Sequence, residues 1–168
     1  MLLFKRIVLV SALLLVTQCS FRPLYSSYDG VAVEKLSHIK ISNIEGRLGQ
    51  VMRNSLLQKM MPGGEPDRPL YTLDVEMNFS NRDLGIAKDA TTTRSEVTLT
   101  VLYKLRDNKS GKILLKGKEQ ESADYNMLTK SYYSNVVSQE NTREGTVELM
   151  SDLIKLALAS YLGDKEPS

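Results

Sequence analysis

Between Tyr71 and Arg106 the chain twice alternates apolar with polar residues. Tyr71, Leu73, Val75, Met77 and Phe79 are separated by Thr72, Asp74, Glu76 and Asn78, and Val97, Leu99, Val101, Tyr103 and Leu105 recur among Glu96, Thr98, Thr100, Lys104 and Arg106. A period of two sends each apolar set to one face of a strand and leaves the other face wet. Asp107-Asn108-Lys109-Ser110-Gly111 has turn chemistry, so Ile113 to about Ser122 reads as the hairpin partner of the second strand. A sheet that is apolar on one side only needs a second layer to cover that side.

The flanking segments supply that layer. Leu36 to Ile44 reads as a first strand with Ile39 and Ile41 on one face, and Asn43 stands near the start of a helical pattern. In it Leu48, Val51, Met52, Ser55, Leu56 and Met60 recur at steps of three and four until Pro62-Gly63-Gly64 ends it. A last helix, beginning at Ser134 or Asn141 and ending at Leu162, carries Val147, Met150, Ile154, Ala157 and Tyr161 on one stripe. Leu149, Leu153 and Leu156 are expected to widen that stripe into a broad sheet-facing surface. The expected fold is α+β: a two-layer sandwich with a four-stranded, mostly antiparallel sheet and two helices on one face, in the order β-α-β-β-β-α.

The N-terminus speaks of destination. Lys5 and Arg6 precede an almost unbroken apolar run from Ile7 to Val16, a run of signal-peptide length and too short to span a bilayer, which needs about 20 residues. The run ends at Val16-Thr17-Gln18-Cys19, and Cys19 is the only cysteine. An apolar residue three places before a lone Cys resembles a bacterial lipobox, in which the thiol takes a diacylglycerol and becomes the new N-terminus. A lone buried Cys in an uncleaved segment is the other reading of these residues. The expected organisation is a lipoprotein signal peptide over 1–18, a lipidated N-terminus and tether over 19–35, the sandwich over 36–163 and a tail over 164–168. A tether of sixteen residues, 20–35, reaches about 55 Å when stretched.

Charge and composition narrow the function. The chain holds 22 Lys+Arg against 20 Asp+Glu. Removing Lys5 and Arg6 leaves 20 against 20, a neutral domain without the positive field that nucleic-acid binding requires. One His and one Cys exclude the usual metal sets and a Cys/His nucleophile within the mature domain. Asp74 and Glu76, two apart on a strand face, have no nucleophile, metal set or glycine-rich phosphate loop beside them, so they read as a wet face and the protein as no enzyme. His38 alternates with Ile39 and Ile41 and is expected to be solvated or at an edge.

Cys19-Ser20-Phe21-Arg22-Pro23-Leu24-Tyr25, directly after an export signal, resembles the Cys-Gly-Phe-x-Pro-Leu-Tyr start of the LPS-assembly lipoproteins of LptE type, in particular their alphaproteobacterial branch. Pro62-Gly63-Gly64-Glu65, Leu84-Gly85-Ile86 leading into Thr91-Thr92-Thr93-Arg94, and the hairpin from Tyr103 to Gly117 are similar too. The resemblance covers nearly the whole mature chain, with Ser20 where the family has Gly. It implies an outer-membrane lipoprotein, lipid-anchored and periplasm-facing, whose only cofactor-like group is the covalent lipid on Cys19. It also implies that the domain plugs an outer-membrane β-barrel LPS-assembly protein of LptD type and binds lipopolysaccharide for insertion into the outer leaflet. An envelope-stabilising lipoprotein acting as a protein-interaction module without LPS contact would use the same parts.

Strand order then suggests where LPS phosphates would sit. The loop Ser80 to Ala90 and the exit Asp124 to Ser131 share one end of the sheet, where Arg82, Lys88, Arg94 and Lys130 accompany Leu84, Ile86, Tyr125 and Met127. Cations beside apolar surface suit a phosphorylated lipid headgroup, and ordinary surface charge is the competing reading. At the opposite end Lys104, Arg106, Lys109, Lys112, Lys116 and Lys118 make a denser basic hairpin, read as an edge protected from sheet pairing. Tyr132 and Tyr133 either stack on sugar or simply begin the last helix.

Overall fold

A computed structural model describes residues 31–86, 92–128 and 131–164. Its elements are α1 (Val31–Ser37), β1 (Ile39–Ile41), α2 (Arg47–Met60), β2 (Tyr71–Ile86), β3 (Thr92–Asp107), β4 (Ile113–Leu128) and α3 (Tyr132–Gly163). The four strands form one sheet in the order β1-β2-β3-β4. The short β1 runs parallel to β2, and the two long pairs are antiparallel, so the α+β sandwich with a mostly antiparallel sheet is the fold found.

Alternation sorts the sheet as its periodicity requires. Leu73 and Val75 on β2, and Leu99, Val101, Tyr103 and Leu105 on β3, are buried in one cluster with Met52, Leu56 and Met60 of α2 and Val147, Met150, Ile154, Leu158 and Leu162 of α3, and Val97 is buried on the same face. Both helices therefore cover one face, and the core runs unbroken from Leu36 to Leu162. The other face carries cross-strand ion pairs. Arg106 Nη2 donates to Asp74 Oδ2 at 2.7 Å and Lys104 Nζ lies 3.7 Å from Glu76 Oε1, while Ser42 Oγ donates to Asp74 Oδ1 at 2.6 Å. Asp74 and Glu76 are thus members of a wet, paired sheet face.

The structure departs from expectation in four places. The extended tether gives way at Val31 to α1, which takes Leu36 out of the first strand and buries it in the core. Seven residues are too few to hold a helix alone, so packing on α3 holds it, with Lys35 Nζ donating to Leu162 O at 3.0 Å. The strands are also longer: β2 continues through Ser80 to Ile86 and β4 to Leu128, so much of the expected loop and exit is sheet. A bulge between Asp83 and Gly85 absorbs Leu84 without breaking the ladder. The last helix begins at Tyr132, two residues before the earlier of the two expected starts. Finally, Leu149, Leu153 and Leu156 are 56%, 39% and 47% exposed. At about 100° per residue they form a second stripe beside the buried one, which turns instead through Leu158 and Leu162.

Tyr103 and Gly117 are partners across the β3–β4 ladder, and the Tyr103 ring lies over Gly117. A β-carbon at Gly117 would collide with the ring at Cζ and the hydroxyl, so this position accepts only glycine unless the ring moves. The hydroxyl donates to Glu119 Oε1 at 3.5 Å, and burial, reinforced by that carboxylate, pushes its pKa above the ordinary tyrosine value.

Candidate functional site

The sheet register defines two ends. At one, β2 and β4 begin and β3 finishes: Tyr71 faces Asp107 and the β3–β4 turn closes. At the other, Ile86 faces Thr93, Thr92 faces Leu128 and α3 begins at Tyr132. We call these the turn end and the loop end.

The loop end places Arg82 and Arg94 on the wet face, already partnered. Arg82 Nη2 lies 2.9 Å from Glu96 Oε1, and Arg94 reaches Asp124 Oδ2 through Nε at 3.0 Å and Nη2 at 2.5 Å. Glu96 and Asp124 stand opposite each other in the ladder, so two arginines bracket two carboxylates and the charges cancel. An anion entering here must compete with those carboxylates. Lys88 and Lys130 lie outside the described residues, as does Cys19. Tyr125 and Met127, expected beside the arginines, are instead on the helix-covered side. Tyr125 is buried opposite Ser95, whose hydroxyl donates to Asp83 Oδ1 at 2.7 Å and approaches the Met127 sulfur at 3.1 Å. The apolar surface that is available comes from Leu84 at the bulge and from the start of α3. Tyr132 and Tyr133 are 85% and 81% exposed and Val136 follows one turn later, so the two tyrosines both begin the helix and present aromatic faces to solvent. Their adjacency to Lys130 in the sequence was the available signal.

The turn end is stitched from the backbone outward. Asp107 Oδ1 accepts from the amides of Lys109 and Ser110 at 2.8 and 2.7 Å and from the Ser110 hydroxyl, and these donors hold its carboxyl below the ordinary aspartate value. Gly111 completes the turn at φ +70°, a conformation that favours glycine. Asn108 ties the turn to the chain before β2, donating its amide to Leu70 O and its side chain to Pro69 O, both at 2.9 Å. His38 belongs to this end too. Its carbonyl accepts from Leu70 and Tyr71, and it is half-buried beside the edge strand β1 with its Nδ1 lacking a hydrogen-bond partner among the described residues, so of the two expected settings the edge is the one found.

One groove of about 330 Å³ opens where the start of α2 meets α3 above Met77 and Phe79. Arg143 lies 5.5 Å from the Phe79 ring centroid, and Arg47 pairs with Glu140 and with Glu144 at 2.7 Å. The floor of the groove is apolar, Arg47 is engaged by the two glutamates, and Arg143 donates to Asn81 Oδ1 at 3.4 Å while its Nε is buried without a hydrogen-bond partner among the described residues. Among the described residues no group of three metal-ligating side chains converges and no helix is long and apolar enough to cross a membrane.

The sequence profile of the LptE lipopolysaccharide-assembly family matches residues 35–158. A Caulobacter crescentus protein described as a lipoprotein superposes with a TM-score of 0.66 at 25% identity, covering 80% of this chain and 97% of that one. The rare lipoprotein B of Shewanella oneidensis superposes at 0.56 with 15% identity, over 73% of this chain and 92% of its own. An uncharacterised Rickettsia prowazekii protein is 24% identical over 129 residues, which is 73% of this chain and 75% of that protein. The family match takes in β1 through most of α3, the two-layer core and both ends of the sheet, and the chain therefore belongs to the LptE lipopolysaccharide-assembly family of non-enzymatic cell-envelope lipoproteins.

Proposed function

We propose that the protein is held in the outer membrane by a diacylglyceryl lipid on Cys19, occupies the lumen of an LptD-type β-barrel, and contacts LPS at its loop end during insertion into the outer leaflet. The observation that carries this reading is the family match over residues 35–158, because that span contains nearly all of the folded core. Physical chemistry is compatible with each part. Two or more acyl chains give the stable retention that one cannot. A barrel lumen is polar, and the uncovered sheet face between the basic hairpin and the loop end offers it paired charges and hydroxyls, Thr98 and Ser122 among them at 2.9 Å. At the loop end Arg82 and Arg94 supply planar donors that a phosphate takes over from Glu96 and Asp124, Lys88 and Lys130 are assigned as further cations, and Leu84, Tyr132 and Tyr133 provide apolar and aromatic contact for sugars and acyl stems.

A pull-down from detergent-solubilised outer membranes tests the reading. It should yield a β-barrel protein in stoichiometric amount together with LPS; a complex lacking any barrel would favour the envelope-stabilising alternative. Mass spectrometry of the N-terminal peptide should find the thioether on Cys19, and an unmodified thiol there would remove the anchor.

A further inference from the structure

The turn end carries a charge surplus that neither the ion pairs nor the proposed LPS contact consumes. Lys104 on β3 stands directly opposite Lys116 on β4, and Leu102 stands opposite Lys118. Like charges facing each other across a ladder are destabilising, and protection of an edge strand accounts for lysines on β4 but not for Lys104 on an interior strand. The acidic residues nearby are already engaged: Asp74 with Arg106, Glu76 with Lys104, and Asp107 within its own turn. Lys112, Lys116 and Lys118 have no carboxylate within ion-pair distance among the described residues. Beside them Leu102 and Ile113 are 43% and 46% exposed, so the patch combines cations with apolar side chains.

The path of the chain says what this patch faces. Ser37 ends α1 two residues before Ile39, and Ile39 pairs with Tyr71 at the turn end. Lys35 holds α1 to the C-terminal end of α3 at the same place. Seven helical residues span about 10 Å, so the fold is entered at the turn end. Cys19 precedes Val31 by twelve residues, a reach of about 40 Å at most, whereas a sixteen-residue strand puts the loop end about 53 Å away.

From this shared placement we infer that the basic hairpin is a membrane-surface site: the turn end docks on the anionic phospholipid headgroups of the leaflet that receives the lipid. This orientation rests on the anchored N-terminus proposed above. Lys112, Lys116 and Lys118 sit over lipid phosphates, and Leu102 and Ile113 enter the headgroup boundary. Lipid chain and basic patch then act as two signals for one membrane, and the loop end is directed away from the anchored leaflet.

Co-sedimentation of residues 20–168 with LPS-free vesicles tests the site without the anchor. That span contains the whole core from Leu36 to Leu162, and the Caulobacter crescentus relative that covers 80% of this chain forms a crystal structure. Vesicles of phosphatidylethanolamine with about a quarter phosphatidylglycerol should bind the protein, and neutral phosphatidylcholine vesicles should not. Lys112→Glu, Lys116→Glu and Lys118→Glu together should weaken partitioning at least about tenfold, while the matching Lys→Arg triple retains it and added salt abolishes it for the unaltered chain. Equal binding to neutral vesicles, equal binding by the Glu triple, or binding indifferent to salt would overturn the inference. So would an acidic peptide that binds at near-physiological salt when the vesicles do not, because the patch would then belong to a protein partner. Failure of Cys19 lipidation would leave these vesicle results untouched, and failure of the vesicles would leave the thioether and the barrel pull-down standing.

Discussion

The two ends of the sheet are built from similar residues to opposite effect. At the loop end Arg82 and Arg94 bracket Glu96 and Asp124, so charge is present but spent, and the exposed surface is aromatic and apolar through Tyr132, Tyr133 and Leu84. At the turn end the chain is tied by Asn108 and Asp107 and the cations outnumber their partners. Counting lysines and arginines would have chosen the turn end for any anionic ligand. The distribution of partners separates the turn end, whose surplus cations set up a field that salt screens within about 8 Å, from the loop end, whose described arginines are neutralised and whose aromatic side chains are exposed.

Four changes would break or sharpen this contrast. The largest effect on the fold is expected from Gly117→Ala, which drives a β-carbon into the Tyr103 ring beneath the basic hairpin and should cost about 2 to 3 kcal/mol by thermal or urea melting. A cost near zero would mean that the ring moves freely and that the turn end is less rigid than described. Leu149→Glu with Leu153→Glu alters side chains that the core does not use, so stability should change by no more than about 0.5 kcal/mol per site. The same pair should reduce recovery of the barrel in the pull-down, if α3 meets the barrel wall with this stripe. Tyr103→Phe should flatten the alkaline limb of stability. A raised phenol pKa contributes stability that is complete below the ordinary value of 10.0 and is lost as pH climbs through the higher folded value. The smallest change is expected from Asp107→Ala. Its lowered pKa contributes above the ordinary value of 3.8 and is lost as pH falls through the folded one, so the substitution should lower neutral stability slightly, and the difference from the unaltered protein should vanish once the pH is below the folded value.

Much of this was legible from periodicity. The alternation from Tyr71 to Phe79 and from Val97 to Leu105 assigned the inner and outer faces, and Asp107 to Gly111 announced the hairpin whose tip is the turn end. What escaped has tertiary causes. Ser80-Asn81-Arg82-Asp83 has turn-like composition, yet pairing with β3 extends it as strand past the bulge. Ala123 to Asn126, past the expected end of the hairpin partner at Ser122, is similarly poor in strand formers and is held by β3. Leu149, Leu153 and Leu156 fit a helical stripe as well as Leu158 and Leu162 do, and which stripe faces the sheet depends on how α3 lies across it. For the candidate site, the shared end of Arg82 and Arg94 was readable from strand order, but their carboxylate partners required the register of Glu96 and Asp124.

The central claim, that LPS is met at the loop end and the turn end serves another anion surface, is tested most directly by LPS binding at near-physiological salt. Lys88→Asp with Lys130→Asp is compared with Lys109→Asp and Lys112→Asp, each pair matched by a stability measurement. The account predicts the larger loss from the Lys88 and Lys130 pair, with the difference widening as salt rises and the field of the hairpin is screened. Equal losses, or a larger loss from the Lys109 and Lys112 pair, would contradict it and move the LPS contact to the turn end.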